Sequence, residues 1–280
     1  MKEVLKDILK SARIYHPFQS AYRSFLTCLQ KQIYRWKYRK HKGTGLTCNV
    51  CMNQYSRFAD DLPSPENEPV LIKYKVIAGY GTNILCPFCL STARERLVIA
   101  MLSTTNVQNK KVLHLSPERN VFRFLSKQSE VTTSDITPAF YKNIDKNILS
   151  QDATKLSFRD NSFDMVIANH VLEHIPHDKQ AIDEFFRVLK PNGLAILQVP
   201  YSETLADTIE EIDITDPHLR SLKFGQRDHV RIYSLKNYVQ RLGDAGFNVN
   251  VISYDEMQHL YIYGIQKNES FFEITKPITS

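Results

Sequence analysis

The sequence predicts an α/β protein with a mostly parallel, seven-stranded sheet covered by helices on both faces. A helical, cysteine-bearing N-terminal region precedes it. Three observations carry this reading. From about residue 93, apolar strand runs alternate with helical stripes, the pattern of parallel strands joined by crossover helices. Gly and Pro punctuation thins over the same stretch. Upstream of it lie two amphipathic basic stripes and two CxxC pairs. The 280 residues suit two domains or one large one. With 42% hydrophobic and 24% charged residues, the chain has a globular balance and can bury a sizeable core. No apolar run approaches the ~18 residues of a membrane span. No apolar h-region with a cleavage site is visible, so the expected location is cytoplasmic.

Residues 1–45 form the first expected unit, a basic amphipathic helical segment. Val4, Leu5, Ile8, Leu9 and Ala12 share one helical face, and Pro17 is expected to end that helix. Tyr22, Phe25, Leu26, Leu29, Ile33 and Trp36 form a second stripe, stopped by Gly43 and Gly45. Residues 1–47 hold 11 Lys and Arg against Glu3 and Asp7, a charge of +9. The whole chain is +6, so the remainder carries −3. Attraction to polyanions is therefore expected from the N-terminus alone. Three roles stay open for it: packing on the body, docking on an anionic membrane surface through residues 1–42, and nucleic-acid contact, the least favoured.

Residues 46–108 are the second unit. Cys48 and Cys51 form one CxxC turn, Cys86 and Cys89 another. Two such turns supply the four soft ligands of a tetrahedral Zn²⁺, and a site closed by four cysteines is structural rather than catalytic. A redox pair or unliganded core cysteines are the alternatives. Cys28, on the second stripe, reads as packing. Residues 60–69 are a polar, proline-rich loop, and Val70 to Ile77 reads as a strand.

Residues 109–280 are the third unit. Strands are expected at 111–115, at 131–135 ending on Asp135, at 148–153, at 163–168 and at 194–199. A helix at 178–190 carries Ile182, Phe185, Phe186 and Leu189 on one face. Ser234 is placed to cap a helix that closes near Gly246. Strands at 249–253 and 260–265 complete the seven.

The segment from Ser150 to Pro176 contains Asp152-Ala, Asn-Ser162-Phe-Asp164, Asn169-His170 and Leu-Glu173-His174. It is followed by Leu-Lys-Pro-Asn-Gly193. This ordered series resembles class I S-adenosylmethionine-dependent methyltransferases of the type 11 group over residues 109–267. The resemblance implies a Rossmann-like fold and S-adenosylmethionine as cofactor. It implies that Asp135 meets the ribose hydroxyls, that Asp152 with the Ala153 backbone meets the adenine amino group, and that Asn169 and His170 stand near the sulfonium and acceptor. Strand ends near a switch point are also where open α/β sheets bind ligands. Taken singly, each acid could equally be a helix cap or a turn residue. The first loop departs from the family: Leu115, Ser116, Pro117, Glu118, Arg119 and Asn120 include no glycine. Ser116 and Glu118 are assigned to the cofactor there, with Glu118 facing its ammonium and Arg119 its carboxylate.

Residues 200–233 form a connection far longer than the usual two to six residues, and it is acidic. Within it His229 beside Asp228 is the first candidate base, and His170 is the second. His174 reads as packing, and His218 stands without an orienting acid. An Asp228–Arg231 ion pair is the structural alternative. The expected activity is O-methylation of a small molecule or glycan. The alternatives are an RNA methyltransferase and an inactive zinc-containing scaffold.

Overall fold

The computed structural model describes residues 15–278, with side chains from residue 25 onward. The helix expected on residues 4–12 lies outside the described residues. The α-helices are α1 (Tyr15–Lys37), α2 (Glu68–Lys73), α3 (Ala93–Thr104), α4 (Arg119–Leu125), α5 (Asp178–Val188), α6 (Pro217–Phe224) and α7 (Leu235–Asp244). The main sheet contains β1 (Lys111–Leu115), β2 (Glu130–Asp135), β3 (Leu149–Ser150), β4 (Phe163–Ile167), β5 (Leu189–Ile196), β6 (Asn248–Ile252) and β7 (Phe271–Thr275). Their spatial order is β3-β2-β1-β4-β5-β7-β6. The first five are parallel, and β7 runs antiparallel to both β5 and β6. The sheet is thus Rossmann-like, and its strand order reverses between β1 and β4.

Burial on both faces explains the near-continuous apolar strands. Leu113 and Val166 face Ala181, Ile182 and Phe185 of α5 and Tyr238 and Leu242 of α7. Val112 and Met165 point the other way, into Leu97 and Val98 of α3 and Val121 and Leu125 of α4. The period-two alternation of strand side chains produces this division. Helix α3 starts at a capping box, in which Thr92 and Glu95 satisfy each other's backbone N–H. It packs on the sheet although it lies in the stretch assigned to the cysteine unit.

Several expected elements differ. The strand expected at 70–77 is helical in its first half, as α2. Pro69 sits in its first turn, where a missing N–H is harmless, and Val70 and Leu71 pack on Phe224 and Ile232. Pro17 lies within α1, near its first described residue, Tyr15. The third strand shrinks to two residues at the sheet edge. Residues 260–265 are not the last strand: a 3₁₀ segment, Asp255–Tyr263, ends at Gly264 with φ 64°, and Phe271–Thr275 takes the place beside β5. The connection 200–233 is itself folded. Strands Tyr201–Ser202 and Ile209–Glu210 flank Arg231–Ser234, and α6 lies between them in sequence. Asp216 caps α6, Glu211 binds Lys223, and Glu210 binds Arg231 and Arg241, so much of its acidity is spent internally.

Helix α1 does not bury its apolar stripe. Phe25, Leu26, Leu29, Ile33 and Trp36 are all exposed. At its C-terminal end, Tyr34 and, just past the helix, Tyr38 join the core of the cysteine unit and Arg35 Nε donates to the Phe88 carbonyl at 3.1 Å. The helix also approaches the 3₁₀ turn Pro138–Phe140.

Candidate active site and cysteine cluster

The two CxxC turns have the same backbone. Met52 N–H donates to the Cys48 carbonyl at 2.7 Å and Leu90 N–H to the Cys86 carbonyl at 2.8 Å. Met52 and Leu90 take φ of 60° and 62° to close the turns. The turns face each other, with Cys48 Sγ 3.6 Å from Cys89 Sγ and Cys51 Sγ 3.7 Å from Cys86 Sγ. A tetrahedron with Zn–S bonds of ~2.3 Å has edges of ~3.8 Å. The four sulfurs therefore fit such an ion and leave no open position. Contact with Cys51 holds the Cys48 thiol well below its ordinary range, while contact with Cys48 raises Cys86 and Cys89. Thiols this close do not all ionise without a cation to offset them. Buried Arg96 ties the cluster to the rest of the fold. Its guanidinium donates to the carbonyls of Ser91, Ile84, Tyr263 and Gly264.

At the carboxyl ends of β1, β2 and β4 lies a cleft of about 580 Å³. Ser116, Asp135, Asp152, Ala153 and His170 line it. Ser116 takes φ 45°, the left-handed turn that a glycine would otherwise make, and its Oγ donates to Asp135 Oδ2 at 2.6 Å. Asp135 Oδ1 accepts the Thr137 N–H at 2.6 Å. Each carboxylate oxygen keeps a further lone pair for an incoming hydroxyl. Asp152 Oδ1 caps the Thr154 N–H at 2.9 Å and is exposed, so its turn role is real whatever else it does. Ile136, 71% exposed, gives the same cleft an apolar rim.

Glu118 and Asn169 do not line this cleft. Asn169 Nδ2 donates to Glu118 Oε2 at 2.8 Å, and Arg94 Nε lies 3.2 Å from Glu118 Oε1. A buried carboxylate needs such partners, and burial raises its pKa. Arg119 points elsewhere, into a groove beside the cysteine cluster with Lys31 and Arg123. The ammonium and carboxylate roles assigned to Glu118 and Arg119 therefore lack the expected geometry.

A second cavity of about 340 Å³ adjoins the first. Tyr141, His170, His174 and Asp228 belong to the walls of both. Behind them Glu173, 1% exposed, is ringed by imidazoles. Its Oε1 lies 3.4 Å from His170 Nδ1, 3.9 Å from His174 Nε2 and 4.0 Å from His229 Nε2. Burial lowers the pKa of His170, and lowers that of His229 to about 4. Burial opposes ionisation of Glu173, yet the neighbouring imidazoles outweigh it and hold the acid at about 2. The cluster is rigidly held. Val230 N–H donates to the Glu173 carbonyl at 3.0 Å, joining the two segments that carry the histidines. Arg231 donates to the carbonyls of Leu172, Ile175 and Pro176.

The expected pairings shift accordingly. Asp228 Oδ2 lies 3.4 Å from His174 Nδ1, so it orients His174 rather than its chain neighbour His229. His229 is buried and packs edge-on against His174, with ring centroids 4.7 Å apart. Arg231 pairs with Glu210, not Asp228. His218 does have an acid, Glu66 at 2.7 Å, but both are on the surface. Sequence reading missed Glu173, Arg94 and Tyr141. Glu173 alone left a signal, standing between His170, a candidate base, and His174.

One prediction concerns the cysteines. Protein prepared without chelator is expected to carry one zinc per chain at this site, and Cys86→Ser to lose it and lower the unfolding midpoint. Elemental analysis finding equal zinc in both proteins would refute the assignment.

Residues 117–197 match the family model described as a methyltransferase domain, type 11. A Haemophilus influenzae protein described as uncharacterized is 53% identical over 47 residues, 16% of this chain and 19% of that one. The mitochondrial arginine-hydroxylase NDUFAF5 of Danio rerio is 26% identical over 149 residues, 53% of this chain and 44% of that one. The demethylmenaquinone methyltransferase of Listeria monocytogenes is 30% identical over 115 residues, 40% of this chain and 42% of that one. The chain spans less than half the length of each of these relatives. Together with the strand order and the strand-end acids described above, the match makes residues 117–197 similar to methyltransferase domains.

Proposed function

We propose that the chain is an S-adenosylmethionine-dependent methyltransferase that acts on an oxygen of a small-molecule or glycan acceptor. The observation that carries this is the meeting of the two cavities at Tyr141, His170, His174 and Asp228. A methyl donor in the larger cleft and an acceptor in the smaller cavity would face each other across these side chains. The donor, when bound, supplies an electrophilic methyl group. The protein's part is alignment and removal of the acceptor proton. Asp135 would accept the ribose hydroxyls, with Asp152 and the Ala153 backbone at the base. The positive φ of Ser116 supports retention of binding, since the loop makes its turn without glycine. His170 is the better-placed base. It stands in both walls, Glu173 backs its Nδ1, and its buried Nε2 has no partner within the protein. The name of the Listeria relative supports methyl transfer. We read the four-cysteine cluster as a structural zinc site.

Asp135→Ala is expected to weaken S-adenosylmethionine binding by roughly 1.5–3 kcal/mol per lost charge-assisted bond, or about 10- to 100-fold for one bond. Calorimetric titration showing unchanged affinity would place the ribose elsewhere. Incubation of labelled cofactor with cell extract then tests transfer itself.

We further propose that α1 docks on an anionic membrane surface. Its exposed apolar residues occur in a segment of charge +9, a pairing suited to a lipid interface. No helix among the described residues is long and apolar enough to cross a membrane. The full chain is expected to float with anionic vesicles at low salt, and a Leu29→Ser, Ile33→Ser, Trp36→Ser variant to stay behind. Equal flotation of the two would refute docking by this face.

A further inference from the structure

We propose that Glu173, His174 and His229 form a binding site for one divalent first-row transition-metal ion, separate from the cysteine cluster. Its open coordination positions would face the smaller cavity. The three ligand atoms lie within 4.8 Å of one another. Around an ion with bonds of ~2.0–2.2 Å, neighbouring ligand atoms stand ~3.0–3.5 Å apart. The observed 3.9 and 4.0 Å separations from Glu173 Oε1 need only a small inward movement.

Four features favour an ion over a plain ion-pair network. Neither oxygen of Glu173 has a well-formed hydrogen bond, although the side chain is 1% exposed; His170 Nδ1 approaches Oε1 at 3.4 Å, and Oε2 has no partner. A buried carboxylate left so is costly, and a cation at the focus of the ring would satisfy it. Second, both ligand imidazoles present the same atom, Nε2, toward the same oxygen. Third, His174 Nδ1 sits 3.3 Å from the Asp228 carbonyl and 3.4 Å from its carboxylate. That outer partner is what fixes the ring of a metal-bound histidine. Fourth, the charge balance of the cavity leaves room for a cation. Its two arginines are already engaged, Arg94 with Glu118 and Arg231 with Glu210 and Asp178, while Asp61, Glu173 and Asp228 line the same space.

Two imidazoles and one carboxylate suit Zn²⁺, Mn²⁺, Fe²⁺ or Co²⁺ and leave positions for ligands from the cavity. A hydroxylated acceptor could place an oxygen there, where the ion would make that hydroxyl more acidic beside His170. This role in catalysis rests on the methyl-transfer reading; the binding of the ion does not.

The test counts metal on the full chain. After equilibrium dialysis against Zn²⁺, the wild type is expected to hold two ions, and Glu173→Gln and His229→Gln one each. The zinc kept by the cysteines then reports that both variants are folded. Mn²⁺, a poor partner for thiolates, reads the second site alone. Electron paramagnetic resonance is expected to show one bound Mn²⁺ in the wild type and ~10-fold or weaker binding in both variants. One zinc and no Mn²⁺ in the wild type, or a second ion equally bound in both variants, overturns the proposal. Two ions in a chain that binds no S-adenosylmethionine would uphold this site and refute the methyltransferase reading.

Discussion

His170→Gln is expected to bind S-adenosylmethionine as the wild type does while losing turnover by ~10²–10⁴-fold, the usual worth of a general base. The residue lies three positions past the end of β4, at the switch point where strands β1 and β4 diverge and a cleft opens. It takes φ 52°, uncommon for a side chain of this size, and its backbone N–H is anchored to the Gln198 carbonyl at 2.7 Å. His170 lines both cavities. Strained backbone of this kind persists only where the surroundings enforce it. Glutamine keeps a polar side chain of similar reach but cannot take up a proton. The measurement is initial rate with labelled cofactor and an accepting fraction, together with cofactor affinity by calorimetry. Full activity in His170→Gln with loss in His229→Gln would move the base to His229. Full activity in both would leave catalysis to alignment.

The sheet was legible because burial on both faces writes long apolar runs into the sequence. Residues 111–115 and 163–168 read almost as they fold. Asp135 was legible for a related reason: an acid ending such a run marks the rim of the sheet. The CxxC turns were legible because their spacing is local. The failures are of another kind. Val70 and Leu71 show only a short apolar run, which fits a strand or a helix equally, and contact with Phe224 and Ile232 decides it. Gly264 ends the 3₁₀ segment before the true last strand, although Tyr261 and Tyr263 have the strand-like spacing that misleads. The histidine ring around Glu173 was beyond sequence reading, because His229 arrives from a segment more than fifty residues away. Adjacency in sequence suggested Asp228 as its partner, whereas the fold turns Asp228 onto His174.

Arg231→Ala is expected to cost about 3–5 kcal/mol of stability, the range for breaking a buried charged pair by removing one partner. The guanidinium is 1% exposed and spends its donors on two structures at once. Nε meets Glu210 Oε2 at 3.0 Å, on the folded 200–233 connection. Nη1 and Nη2 meet the carbonyls of Leu172, Ile175 and Pro176, the turn that carries Glu173 and His174. Truncation strands the buried Leu172 carbonyl, with its desolvation penalty, and removes the donor from the partly buried Ile175 and Pro176 carbonyls. Asp178 is partly protected, because Arg241 Nη1 and the Tyr233 hydroxyl both reach it at 2.6 Å. The loss therefore falls mainly on the turn and on Glu210. Arg231→Lys should recover only part of the stability, since one ammonium cannot cover the fork of contacts that the guanidinium makes. The denaturant midpoint of the three proteins checks this. A midpoint in Arg231→Ala equal to the wild type's would show that water replaces the guanidinium at little cost. The histidine cluster would then owe its placement to the Val230–Glu173 backbone bond instead.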